Sequence, residues 1–187
     1  MSLFARNKGR DLRRRASISV REMCIFSMLA ALMFSSKLIM ELLPNVHLLG
    51  MFVCVCAVVF RSKGLIPIYI FVLISGIYYG FATWWLAYLY IWAVLFFAVM
   101  LIPKRISPRA ASVVYPIVCA LHGALYGVLY APTQALLYGF DFKQTVAWII
   151  SGLPFDLIHG VSNLFVGTLI LPFSILLRRL LNSKGRY

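Results

Sequence analysis

Long apolar runs alternate with short breakers along almost the whole chain, and the basic residues gather at every second breaker. This alternation constrains the fold more than any other feature of the 187-residue sequence. The runs cover Met23 to Leu43, Val46 to Phe60, Leu65 to Phe81, Trp84 to Ile102, Ser112 to Tyr130 and Pro154 to Leu177. Each has roughly the 15–24 residues that span a bilayer as a helix. The second is short, which predicts a tilted helix or one buried by its neighbours. Strands are excluded, because an open sheet in lipid leaves backbone groups unpaired. The basic residues occupy the amino-terminal tail (Arg6, Lys8, Arg10, Arg13, Arg14, Arg15), the loop with Arg61 and Lys63, the loop with Lys104, Arg105 and Arg109, and the end with Arg178, Arg179, Lys184 and Arg186. The other connections hold only Lys143. The positive-inside rule then predicts six spans with both termini cytoplasmic.

Composition supports the same class. Hydrophobic residues make up 63% and charged residues 12%, against about 25% charged in soluble domains. Mean hydropathy is +0.92. The expected architecture is an all-α polytopic membrane protein: a basic tail over 1–20, a six-helix transmembrane domain over 21–181, and a short basic tail over 182–187. An external segment, about 132–153, contains Asp141 and Lys143 and reads as a helix against the interface, with Pro154 opening a fresh helix. The net charge of +13 sits where membrane topology requires it. The expected partner is therefore the lipid bilayer and not a nucleic acid. The four cysteines, Cys24, Cys54, Cys56 and Cys119, lie in apolar runs without metal or redox spacing and read as small hydrophobes.

Polar side chains inside a membrane are costly and mark function by default. Four sets map to the outer half of the bundle. Lys37 and Glu41 share a face at i, i+4, followed by Asn45 and His47 in the first external loop; a structural ion pair or a snorkelling lysine is the alternative. Trp84, Trp85, Tyr88 and Trp92 occupy the outer half of span four. An interfacial aromatic belt explains Trp84 and Trp85, but not Trp92, which lies about 12 Å deeper by helical rise. His122, Tyr126 and Tyr130 climb span five at i, i+4, i+8, as a ligand wall or as helix packing. Asp156, His159 and Asn163 share a face of span six, with Asp156 also placed to cap the helix. Together they predict a small-molecule pocket open to the outside.

Catalysis finds little support, because no HExxH or GxSxG pattern occurs and no nucleophile stands beside His159. No metal or other cofactor is expected: His122, His159 and Asp156 include no strong ligand pair on one helix. A separate pattern, Ser27, Ala31 and Ser35, recurs every four residues along span one. Such a small-residue face serves packing within the bundle or docking of a partner helix.

With these residues in view, the chain resembles the substrate-binding S component of energy-coupling factor (ECF) vitamin transporters. Ile25-Phe-Ser-Met-Leu-Ala-Ala-Leu resembles the family's small-residue helix, with Ser27 and Ala31 in the register of its Ala-x-x-x-Ala face. Leu43-Pro-Asn-Val-His47, Gly80-Phe-Ala-Thr-Trp84 through Trp92, and Gly152-Leu-Pro-Phe-Asp-Leu-Ile-His159 with Asn163 are similar to motifs of one branch, which includes cobalamin-type transporters. The resemblance implies a prokaryotic, multi-pass inner- or plasma-membrane protein, not itself an enzyme. It implies binding of a vitamin-class micronutrient, a corrinoid or a smaller heterocycle, from outside. Delivery follows by docking through Ser27, Ala31 and Ser35 on a transmembrane coupling subunit that carries two ATPase subunits. The competing expectations are a self-contained facilitator, which needs polar residues along the inner half as well, a small intramembrane enzyme, and a membrane scaffold.

Overall fold

The computed structural model of the chain describes residues 18–43 and 46–182. Those residues are all helical or in short connections, and no strand occurs among them. The helices are α1 (Val20–Met40), α2 (Leu49–Phe60), α3 (Leu65–Tyr79), α4 (Thr83–Leu101), α5 (Pro108–Ala124), α6 (Tyr126–Tyr138), α7 (Phe142–Gly167) and α8 (Ile170–Asn182), with a 3-10 turn at Arg61–Gly64. Five stretches are long and apolar enough to cross a membrane: Val20–Met40, Leu49–Tyr79, Thr83–Leu101, Pro108–Tyr138 and Phe142–Gly167. Large apolar side chains such as Leu101, Leu136 and Phe142 stand exposed on the outside of the bundle. These features are compatible with a multi-pass membrane protein.

Local chemistry starts the helices. Ser19 and Glu22 form a capping box at α1: the Glu22 amide donates to Ser19 Oγ at 3.2 Å, and the Ser19 amide donates to Glu22 Oε2 at 2.9 Å. Ser107 caps α5, with Pro108 in its first turn. The segment Leu49–Tyr79 is two helices rather than one, because the chain reverses at Arg61–Gly64. The reversal is tight enough that a Cβ on Gly64 would lie 2.3 Å from the Cys56 carbonyl oxygen. Of the two readings of the short second span, burial holds: every residue from Leu49 to Val58 is buried. In a bilayer, close packing rather than water exclusion holds such helices together.

Four of the basic residues meet at one end. Lys63 Nζ lies 2.8 Å from Glu22 Oε1, Arg61 donates to the Met100 carbonyl at 3.1 Å, Arg178 to the Val58 carbonyl at 2.7 Å and Arg21 to the Leu180 carbonyl at 2.8 Å. These bonds bring the start of α1, the 61–64 turn, the end of α4 and α8 to one level.

The expected boundaries change in three places. Span five does not stop at Pro132, which lies inside α6, and Thr133 to Tyr138 continue that helix. The external segment of about 132–153 is therefore not a separate interfacial element: a turn around Gly139, in the left-handed conformation glycine favours, joins α6 to α7. Pro154 does not open a helix either. It lies in the interior of α7, whose start is fixed by a second capping box, with the Gln144 amide donating to Asp141 Oδ1 at 2.7 Å. Span six ends early at Gly167, and α8 follows after Thr168 and Leu169. Most of the tails 1–20 and 182–187, with Pro44 and Asn45, fall outside the described residues, while Val20 and Asn182 are helical.

Candidate functional site

A mouth opens at the end remote from the Arg61–Arg178 cluster. Lys37 lies in the last turn of α1 and Glu41 just past it, with Nζ and Oε1 3.4 Å apart. Tyr79, at the end of α3, completes the set: its hydroxyl donates to the Glu41 carboxylate, and Lys37 Nζ stands 3.6 Å from the centre of its ring. The Tyr79 hydroxyl, and then Lys37, hold the Glu41 carboxyl below the usual carboxylate range. Trp84 on α4 meets Tyr79 and Tyr88 edge-on, at ring distances of 6.1 and 5.1 Å. Tyr126 and Tyr130 on α6 form the opposite wall, and Trp148 of α7 stacks on Tyr130 at 6.0 Å. Lys37, Glu41, Tyr79, Trp84, Tyr88, Tyr126 and Tyr130 enclose a cavity of about 420 Å³. An ion pair at one side and rings on the others suit a small, flat, partly polar ligand.

Below the mouth the space between α4, α5 and α7 is filled. Trp92, 2% exposed, lies 5.4 Å from Tyr88, 6.2 Å from Tyr126 and 5.9 Å from His122, ring to ring. His122 Nε2 is 3.1 Å from the Ile91 carbonyl oxygen. The His159 ring lies 5.1 Å from Tyr126 and 5.3 Å from His47. Asn163 donates to the Cys119 carbonyl at 3.3 Å. Four buried atoms of this layer lack a hydrogen-bond partner: His47 Nδ1, Trp92 Nε1, His122 Nδ1 and Asn163 Oδ1. Burial, reinforced by Lys37, lowers the pKa of the His47 imidazole below the usual 6.5.

Asp156 ties the two layers together. Both its carboxylate oxygens accept from the Gly127 amide, at 3.1 and 3.0 Å. Gly127 lies in the first turn of α6, where backbone amides lack partners, so Asp156 caps α6 from α7 and not its own helix. The carboxylate enters the backbone ladder at the junction of α5 and α6 and breaks the helix there without a proline. Glycine admits it: a Cβ on Gly127 would lie 2.3 Å from Asp156 Oδ2, just as one on Gly123 would lie 2.6 Å from Asn163 Nδ2.

No family model matches the chain, and no curated protein or solved structure does either. The site therefore rests on its own geometry. Of the residues singled out in the sequence, Lys37, Glu41, Tyr88, Tyr126 and Tyr130 line the mouth. His47, Trp92, His122, His159 and Asn163 form the filled layer, and Asp156 the cap. Trp85 turns to α3, donating to the Val72 carbonyl at 2.9 Å, and Asn45 lies outside the described residues. The sequence reading missed Tyr79 and assigned Trp84 to an interfacial belt. Spacing carries no signal that Tyr79 reaches Glu41, 38 residues away. Ser27, Ala31 and Ser35 are all exposed, with Phe26, Leu29, Ala30 and Met33 turned inward, so this face is not used for packing within the bundle. All four cysteines are free, and among the described residues no group of three His, Cys, Asp or Glu side chains is placed to hold a metal ion.

Proposed function

We propose that the chain is an S component of an ECF-type vitamin transporter, with six spans, both termini cytoplasmic and the mouth open to the outside of a prokaryotic cell membrane. The observation that carries the reading is the aromatic cavity with its Lys37–Glu41 pair, placed at the end opposite the clustered arginines. The ligand is a vitamin-class heterocycle. A cavity of about 420 Å³ favours one or two fused rings over a corrinoid macrocycle. The pair orients polar substituents, and the rings of Trp84, Tyr88, Tyr126 and Tyr130 take the flat face. The exposed stripe of Ser27, Ala31 and Ser35 supports docking on the coupling subunit, whose two ATPases drive release inward. A self-contained facilitator is disfavoured, because Val53, Cys54, Ile91 and Leu95 fill the bundle below the mouth with apolar side chains.

Tryptophan-fluorescence titration of the purified protein against a panel of vitamins, cobalamin and cobinamide included, tests this reading. Saturable quenching by one compound is expected, since Trp84 lines the cavity. Silence across the panel from folded protein would remove the vitamin assignment. Ala31→Trp should leave the titration unchanged and stop uptake in cells; persistent uptake would remove the docking face.

A further inference from the structure

A second cavity, of about 230 Å³, lies at the basic end, lined by Val58, Val59, Arg61, Pro103, Lys104, Tyr115 and Arg178. Its walls come from the end of α2, the 61–64 turn, the α4–α5 connection, α5 and α8. Three cations face it, and among the described residues no carboxylate lines it. Glu22 is engaged with Lys63 at 2.8 Å, while Glu41 and Asp156 belong to the remote mouth and its cap. Each arginine spends one N–H on a backbone carbonyl, Arg61 on Met100 and Arg178 on Val58. Those bonds fix both guanidinium groups and leave further donors. Arg61 Nε is buried with no hydrogen-bond partner.

The backbone at Arg61 adds a second observation. It adopts φ 54° and ψ −134°, a conformation that turns reserve for glycine and that is strained for any residue with a Cβ. Among the described residues no other non-glycine has a positive φ. A glycine would serve the turn better, so the arginine is there for its side chain.

We propose that this cavity binds the phosphate group of an anionic phospholipid from the leaflet at the basic end. Guanidinium forks match phosphate oxygens in pairs. Lys104 supplies a third charge from the exposed rim, and Val58 and Val59 meet the apolar part of the lipid. Basic pockets between helices on the positively charged side of a membrane protein are suited to such headgroups. A bound phosphate adds a charged link between α2, α8 and the α4–α5 connection, beside the Arg178–Val58 and Arg61–Met100 hydrogen bonds. The inference is independent of the vitamin reading and requires only that the chain sits in a bilayer.

The test is lipid retention by the purified full chain, offered equal phosphatidylglycerol and phosphatidylcholine in neutral detergent and read by native mass spectrometry. Phosphatidylglycerol should be kept in preference. Arg178→Gln and Lys104→Gln should each lower its retention about fivefold, the factor for one basic residue near an anionic surface. Arg109→Gln, outside the cavity, should not. Arg61→Gly separates binding from folding: relief of the strained φ should hold or raise the melting temperature while retention falls. Unchanged retention in Arg61→Gly, or equal retention of the two lipids by the native chain, would overturn the proposal. So would a melting temperature raised by inorganic phosphate alone and not by phosphatidylglycerol, which would mark a free-phosphate site instead.

Discussion

The mouth and the layer beneath it both gather polar and aromatic side chains, the mouth from α1, α3, α4 and α6 and the layer mainly from α4, α5 and α7, yet one lines a cavity and the other is packed solid. In the mouth, Lys37, Glu41 and Tyr79 satisfy one another, and the rings of Trp84, Tyr88, Tyr126 and Tyr130 stand around open space. Beneath it, Trp92 lies against His122, His159 against Tyr126 and His47, and Asn163 against Cys119, with several polar atoms unpaired. A buried polar group signals that something unusual is needed at that depth. The difference between the two regions shows that the need is met in one case by a ligand-sized opening and in the other by close helix packing around glycine. The lower layer sets where the helices stand, and the upper layer uses the resulting gap.

That division can be broken by substitution. The largest expected effect is at Gly123, where any Cβ meets Asn163 and the His159 backbone. Gly123→Leu should destabilise the bundle by about 3 kcal/mol or more, the upper range for overpacking a close contact, seen as a lowered melting temperature or lost expression. A neutral result would mean that the lower layer is loose and itself able to admit a ligand. Next come the mouth residues. Tyr126→Ala or Trp84→Ala should weaken ligand binding about tenfold or more, as loss of a central aromatic anchor does, with little change in melting temperature for Trp84→Ala. Equal affinity in both variants would move the site out of the mouth.

Asp156→Ala should cost about 0.5–2 kcal/mol, the range for losing a helix cap, while ligand affinity measured by the same titration holds. An affinity loss much larger than the stability loss would place Asp156 in the ligand site. The smallest effect is the pH dependence from His47. Its folded-state pKa lies below the usual 6.5, so the unfolded chain takes up the proton first as pH falls. The stability contributed at neutral pH should decline as pH drops through and below 6.5, by at most about 1.4 kcal/mol per pH unit. His47→Gln should lessen the pH slope of the melting temperature between pH 7 and pH 5; melts that keep their full slope in this variant would assign the sensitivity elsewhere.

Much of this was legible in the residues alone, for identifiable reasons. Apolar runs and breakers gave the helices from Val20 to Leu101 to within a few residues, because a membrane helix must satisfy its own backbone and so announces its length. The i, i+3, i+7 spacing of Asp156, His159 and Asn163 placed all three on one face, and the structure buries that face. Pro132 and Pro154 misled, since proline ends helices in water but is tolerated inside helices packed in a membrane bundle. The start of α7 had a better signal than Pro154: Asp141 and Gln144 stand three residues apart as a capping box. Nothing in the sequence marked Tyr79 as the partner of Glu41, or told Trp84 from Trp85, since neighbouring residues on a helix point about 100° apart and only the position of α3 decides which faces the mouth.

Sequence by itself determined that the chain is helical, that its long apolar runs suit a bilayer and that its basic residues recur at alternate connections. These are properties of single segments, set by hydropathy, period and charge. Tertiary structure decided which polar faces surround space and which fill it. It seated Asp156 in the backbone of another helix, brought Arg61, Lys104 and Arg178 around one cavity, and turned Ser27, Ala31 and Ser35 outward. The physical reason is that a cavity or a cap depends on how closely two helices approach. That distance is fixed by glycine contacts between residues tens of positions apart, such as Gly123 with Asn163 and Gly127 with Asp156.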